Sequence, residues 1–226
     1  MNRILIALVI MSVGCTTTQK EEPTISLEGN VSAILADGMD HVMVTAEFDK
    51  RLSQYEEVVI TTNAGHLVTL PSEDFSSGSK KLTVHPESKT YSFLLVSSKF
   101  PQEEVVVGIA INKLYSEISL SFDRVCPDEL LMDLDDNQLI LSTGERSTAT
   151  LTLLNQSGSL SDSTRIELSV SPDSLGAVEP RVFYSGSSKT VQFVPSGAMG
   201  TATLTASIKQ GDCEALSSSK KIEITE

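Results

Sequence analysis

Eight residues at 41–48, HVMVTAEF, set Val42, Val44, Ala46 and Phe48 on one side and His41, Met43, Thr45 and Glu47 on the other. A two-residue period places alternate side chains on opposite faces of a pleated strand, so this segment can bury one face only as a β-strand. The same alternation returns in EVVITTN at 57–63, KKLTVHP at 80–86, TYSFLLVS at 90–97, EVVVGIAIN at 104–112 and YSEISLSF at 115–122. Only the dipeptide KL separates the last two, a tight hairpin length. No stretch carries a capped apolar period of 3.6 residues, so almost no helix is expected.

The second half repeats the plan. STATLTLLN at 147–155, RIELSV at 165–170, KTVQFVP at 189–195, GTATLTASIK at 200–209 and KKIEIT at 220–225 again read as strands. Both halves end with a long alternating strand, a hairpin and a short closing strand. Strands at regular short spacing with turn signals predict an all-β fold of two tandem immunoglobulin-like β-sandwiches, each of about 100 residues. The boundary falls in DRVCPDE, where Phe122 gives way to charge, Cys126 and Pro127, and proline disfavours a continued ladder. Expected domains are residues 25–124 and 125–226, preceded by segments 1–14 and 15–24. With no Trp and 5% aromatic residues, the cores must be built mainly from Val, Ile and Leu.

The opening segment differs. Arg3 precedes an apolar run from Ile4 to Met11, too short for the about 20 residues of a spanning helix but suited to a secretory signal. SVGC at 12–15 then resembles a lipobox, the cleavage site of bacterial lipoproteins, with Gly14 before the cut. The resemblance implies cleavage between Gly14 and Cys15, with acyl chains on Cys15 anchoring the protein to a membrane. QKEE at 19–22 (Gln19, Lys20, Glu21, Glu22) resembles the surface-export signal of Bacteroidetes-type lipoproteins, which implies the outer face of the outer membrane. Residues 15–24 read as a lipidated, flexible tether, with reach of about 30 Å if fully extended.

A further resemblance lies within the first sandwich. ILADGMDHVMVTAEF followed by VVITTNAGHL is similar to the opening of bacterial immunoglobulin-like domains of the invasin and intimin kind, at Ala36, Asp37, Gly38, Val44, Thr45, Ala46, Thr61, Thr62 and Gly65. GTATLTA at 200–206 fits a later strand of the same pattern. These are fold motifs, and the resemblance implies a spacer, adhesin stalk or binding module rather than a catalyst.

If Cys15 is lipidated, Cys126 and Cys213 remain, and an exported chain meets oxidising conditions. Cys126 precedes the first strand of the second sandwich. Cys213 lies in the QGDCEA turn between its last two strands, at the same pole of a seven-stranded sandwich. A disulfide between them is expected.

Few residues invite chemistry. His41, His66 and His85 lack neighbouring nucleophile motifs and read as surface residues. No zinc-ligand spacing occurs. DLDDN at 133–137 starts like a calcium loop, with Asp133 and Asp135. Its sixth position is Gln138 instead of Gly and its twelfth is Gly144 instead of Glu, so a solvated strand edge is the better reading and at most weak calcium binding is expected. Tyr55, Tyr91, Tyr115 and Tyr184 form no cluster, a poor sugar platform. Thirty acidic against 17 basic residues, net charge -13, exclude a nucleic-acid partner. The expected function is therefore non-enzymatic and without cofactor: a cell-surface lipoprotein for adhesion, spacing or binding of an unknown protein or glycan partner. The alternatives are a periplasm-facing accessory subunit of an envelope complex and a carbohydrate-binding surface lipoprotein.

Overall fold

The computed structural model describes residues 24–72, 74–156, 159–186, 189–209 and 213–226. The expected signal segment, Gly14, Cys15 and Gln19, Lys20, Glu21 and Glu22 lie outside the described residues. In the first half the strands are β1 (Ile25–Gly29), β2 (Ala33–Leu35), β3 (His41–Phe48), β4 (Val58–Thr62), β5 (His66–Thr69), β6 (Lys81–Val84), β7 (Thr90–Val96), β8 (Gln102–Ile111) and β9 (Leu114–Asp123). In the second they are β10 (Glu129–Leu134), β11 (Gln138–Ile140), β12 (Ser147–Leu154), β13 (Arg165–Ser171), β14 (Gly176–Glu179), β15 (Val182–Tyr184), β16 (Thr190–Pro195), β17 (Gly200–Ile208) and β18 (Leu216–Thr225). Two single-turn 3-10 helices, Leu141–Thr143 and Asp173–Leu175, are the helical elements among the described residues.

Each half is an immunoglobulin-like sandwich of a four-stranded and a five-stranded sheet, in the orders β1-β3-β7-β5 and β2-β9-β8-β4-β6, then β10-β12-β16-β14 and β11-β18-β17-β13-β15. The second topology is the first with every strand number raised by nine. Nine strands stand where seven were expected, because the first strand is split and a short extra edge strand is added. β1 pairs antiparallel with β3 in one sheet, whereas β2 crosses to the other and pairs parallel with β9. The second half does the same with β10 on β12 and β11 on β18. Splitting lets one edge of each sandwich be shared by both sheets.

The alternation sorts side chains as its period demands. Val42, Val44, Ala46 and Phe48 of β3 point inward, opposite Val105, Val107, Ile109 and Ile111 of β8, with Phe93 and Phe122 filling the centre. A separate core gathers Ala149, Leu151 and Leu153 of β12 with Ala202, Leu204, Ala206 and Ile208 of β17 around Phe193. Fully burying a Val, Leu, Ile or Phe side chain contributes about 1.5–3 kcal/mol, so these two clusters are the main source of stability.

Two turns differ in detail from the sequence expectation. The β8–β9 loop is Asn112-Lys113 rather than 113–114, because Ile111 pairs with Leu114. Asn112 has φ 53°, a left-handed geometry that asparagine tolerates and two-residue hairpins require. The closing strand β18 begins at Leu216, not 220; Ser217, Ser218 and Ser219 extend its ladder against β17. A run of serines has no hydrophobic alternation, which is why this extension is invisible in the sequence. Gly65, one of the matched positions, has φ +65°, and a Cβ there would lie 2.2 Å from the Val96 carbonyl oxygen and 2.9 Å from the Phe122 ring. No other residue fits that corner.

Candidate functional site

The Ala36-Asp37-Gly38 motif forms the turn between β2 and β3 and, beyond that, half of the joint between the sandwiches. Asp37 Oδ1 accepts the N–H groups of Met39 and Asp40 at 2.7 and 2.6 Å, and the Ser97 hydroxyl at 3.3 Å. Ser97 in turn accepts the Gly38 N–H at 3.2 Å. This web leaves the Ala36 carbonyl oxygen facing the second sandwich, where the Ser161 hydroxyl donates to it at 2.6 Å. The same hydroxyl oxygen accepts the Val125 N–H of the connecting segment at 2.8 Å. Ser161 is fully buried. One side chain thus ties together the first sandwich, the connection and the second sandwich.

Its surroundings hold it in place. The Ser161 N–H donates to Val125 O at 3.2 Å, and the Ser161 carbonyl accepts the Ser185 hydroxyl at 2.7 Å. The Asp162 N–H donates to Lys99 O at 2.7 Å, a second crossing between sandwiches. Arg124 Nη1 donates to the Ser163 hydroxyl at 3.3 Å. Cys126 and Cys213 are bonded, with Cα atoms 5.5 Å apart. The bond fastens the connecting segment to the β17–β18 loop, immediately beside the Ser161 pin. A linker so closely bonded on both sides cannot swing as a free hinge.

On the outer face of the β1-β3-β7-β5 sheet lies a smaller apolar cluster of Val68, Leu94 and Val96, against which Phe75 packs. Phe75 belongs to the segment 70–80 between β5 and β6; in the second sandwich only Pro180 and Arg181 separate the equivalent strands. Two histidines clasp it. His41 stacks on the Phe75 ring with centroids 4.8 Å apart, and His66 Nε2 donates to the Phe75 carbonyl oxygen at 2.7 Å. Asp74 caps the segment by accepting the Ser76 N–H at 2.8 Å. The Ser76 hydroxyl leads the causes that hold the Asp74 pKa below its ordinary value. His41 and His66 are therefore structural props. Among the described residues, neither is bonded to a nucleophile and an orienting acid. The sequence carried no sign of their partnership, which depends on the 70–80 segment folding back.

The acidic run is a clamp. Asp133 sits on the edge strand β10, and Asp135 Oδ1 accepts the Thr148 N–H at 2.6 Å, the Ser147 hydroxyl at 3.1 Å and the Asp136 N–H at 2.7 Å. Partial desolvation works to raise the Asp135 pKa, but the hydrogen bonds from Thr148, Ser147 and Asp136 outweigh it and hold the carboxyl below its ordinary range. Its lone pairs thus serve the β10–β11 turn. Among the described residues, no group of three or more His, Cys, Asp and Glu side chains is placed to hold a metal ion.

The tyrosines are dispersed. Tyr91 stacks on Phe93 with centroids 6.3 Å apart, and its burial pushes its pKa up. Tyr115 covers Gly108 and donates to Glu117 Oε2 at 2.7 Å. Tyr55 and Tyr184 project from different sandwiches. An apolar cleft with a volume of about 470 Å³ opens at the pole of the first sandwich remote from the joint, lined in part by Ile25, Phe48, Leu52, Ile111 and Leu114. No helix among the described residues is long and apolar enough to cross a membrane.

No protein-family model matches the chain, and no curated protein matches it in sequence. Among solved structures, the adhesin InvE of Yersinia pseudotuberculosis is similar over 89% of this chain, with 14% identity and a TM-score of 0.57. This chain spans 59% of that one's length. The D0-D1 domain of intimin aligns with 91% of this chain and 100% of its own, at 12% identity and a TM-score of 0.35. A glycosyl hydrolase family 2 member from Bacteroides cellulosilyticus aligns with 84% of this chain and 24% of its own, at 11% identity and a TM-score of 0.35. The likeness to InvE is one of fold.

Proposed function

We propose that this chain is a non-enzymatic surface module of a bacterial outer membrane, held there by acyl chains on Cys15, that presents a binding surface away from the bilayer. The observation that carries the reading is the pinned joint. A protein whose task is to carry a contact surface at a fixed distance needs two modules that do not swing. Here Ser161, the Asp162–Lys99 bond and the Cys126–Cys213 disulfide supply that constraint. Adhesion is the task proposed, since the protein of similar fold, InvE, is an adhesin. SVGC and QKEE support the anchor and the outward route.

Protease treatment of intact cells tests it. Cleavage of the described sandwiches in intact cells is expected. Protection in intact cells with cleavage after outer-membrane permeabilisation would overturn the outward orientation and leave a periplasm-facing envelope subunit. Release of the protein into the aqueous fraction when Cys15 is replaced by Ser is expected from the anchor.

A further inference from the structure

The internal repeat identifies a contact pole that is filled in one sandwich and open in the other. In the second sandwich, the pole that receives the first does so through Ser161 and Asp162 of the β12–β13 loop, with Ser185 of the β15–β16 loop bonded to Ser161 and Cys213 of the β17–β18 loop bonded to Cys126 of the connection. By the shift of nine in strand number, the matching pole of the first sandwich is made by the β3–β4 loop (49–57), the β6–β7 loop (85–89) and the Asn112-Lys113 turn. No module of the described chain covers it. It opens instead as the cleft of about 470 Å³, with an apolar floor of Phe48, Leu52 and Ile111 and with Asp49, Lys50, Glu56 and Lys113 in its lining.

What lies next to that pole follows from connectivity. Thr24 is itself part of the cleft lining, so the described chain begins at this end. Nine residues, 16–24, separate Cys15 from β1 and can span at most about 30 Å. Charge agrees. In a chain of net charge -13, the loops of this pole balance Lys50, Arg51, Lys89 and Lys113 against Asp49, Glu56, Glu57 and Glu87. Tyr55 on the same loop is 84% exposed, the most exposed large hydrophobic side chain among the described residues. Tyrosine and lysine around an apolar depression match the headgroup layer of a bilayer, where amphipathic rings and snorkelling amines settle.

We propose that this pole of the first sandwich seats on the lipid headgroup surface, with Tyr55 at headgroup depth, Lys113 toward lipid phosphates, and the apolar cleft covered by lipid; Lys50 is held by Glu56 of the same loop at 3.3 Å. The inference rests on the lipid-anchor reading above. It makes the first sandwich a membrane-seated foot and leaves the second sandwich to face outward.

The absence of tryptophan provides a clean probe. Single variants Tyr55→Trp and Met199→Trp, the latter at the β16–β17 loop of the far pole, are made in the full lipidated protein. They are reconstituted in phosphatidylcholine–phosphatidylglycerol vesicles with brominated acyl chains. Tyr55→Trp fluorescence should fall by about twofold or more relative to unbrominated vesicles, with Met199→Trp unchanged, since only an interfacial ring reaches the bromines. Adding Lys113→Glu to Tyr55→Trp should weaken that quenching. Co-flotation with vesicles without quenching of Tyr55→Trp would overturn the docking while leaving the anchor standing. Equal quenching at both positions would overturn the pole assignment. Failure of the protein to float would remove the anchor and the docking with it.

Discussion

The Ser161 hydroxyl donates across 125 positions of sequence to the Ala36 carbonyl oxygen at 2.6 Å while its oxygen accepts the Val125 N–H at 2.8 Å. Replacing Ser161 with Ala leaves a carbonyl and an amide at a buried joint without these partners. The expected cost is about 1–3 kcal/mol. Small-angle scattering of Ser161→Ala should show a broader range of interdomain distances than the wild-type chain. An unchanged distribution would mean that the joint is held without this pin.

Removing the disulfide acts on the second sandwich. Cys126 and Cys213 are 87 residues apart, and a loop of that length contributes up to about 4–5 kcal/mol in the chain-entropy picture. The double variant Cys126→Ser, Cys213→Ser should unfold at lower urea concentration by circular dichroism. Reductant should bring the wild-type midpoint down to that of the variant and leave the variant unmoved.

Phe75→Ala uncovers Val68, Leu94 and Val96 on the outside of the first sandwich. Phe75 is only partly buried, so a loss of about 1–3 kcal/mol is expected, below that of a core phenylalanine. Binding of a hydrophobic dye should rise. The second sandwich, with its own core, should keep its unfolding transition.

Asp135 predicts a pH dependence. Its folded pKa lies below the ordinary 3.8, so the stabilisation is fully present at neutral pH and is lost as pH falls through 3.8 toward the folded value. Asp135→Ala should melt at lower temperature than wild type near neutrality. The two melting temperatures should converge on acidification, as calorimetry across that range will show.

Long strands were legible because burying one face enforces a two-residue period over seven or more positions, as in β3, β8, β12 and β17. β2, β11 and β15 have three residues each, too few for any period, and owe their places to a neighbouring ladder. The proximity of Cys126 and Cys213 was legible because topology alone brings a first strand and a last hairpin to one pole. The joint was not. Ser161 is one serine in a loop rich in them, and nothing local distinguishes the one that meets Ala36. The Ala36-Asp37-Gly38 stretch read as part of a fold motif; the Ala36 carbonyl acquires meaning only with the second sandwich present. His41 and His66 read as bystanders for the same reason.

Within each sandwich the first strand's second piece runs parallel to the last strand, Ala33 beside Ser121 and Leu35 beside Asp123, then Gln138 beside Glu223 and Ile140 beside Thr225. Tension applied along the chain would pull these partners in opposite directions along their own axes. The hydrogen bonds between them would be loaded in shear and would have to yield together, instead of peeling one at a time. A molecule tethered at one end and gripped at the other would meet that force at two such seams in series.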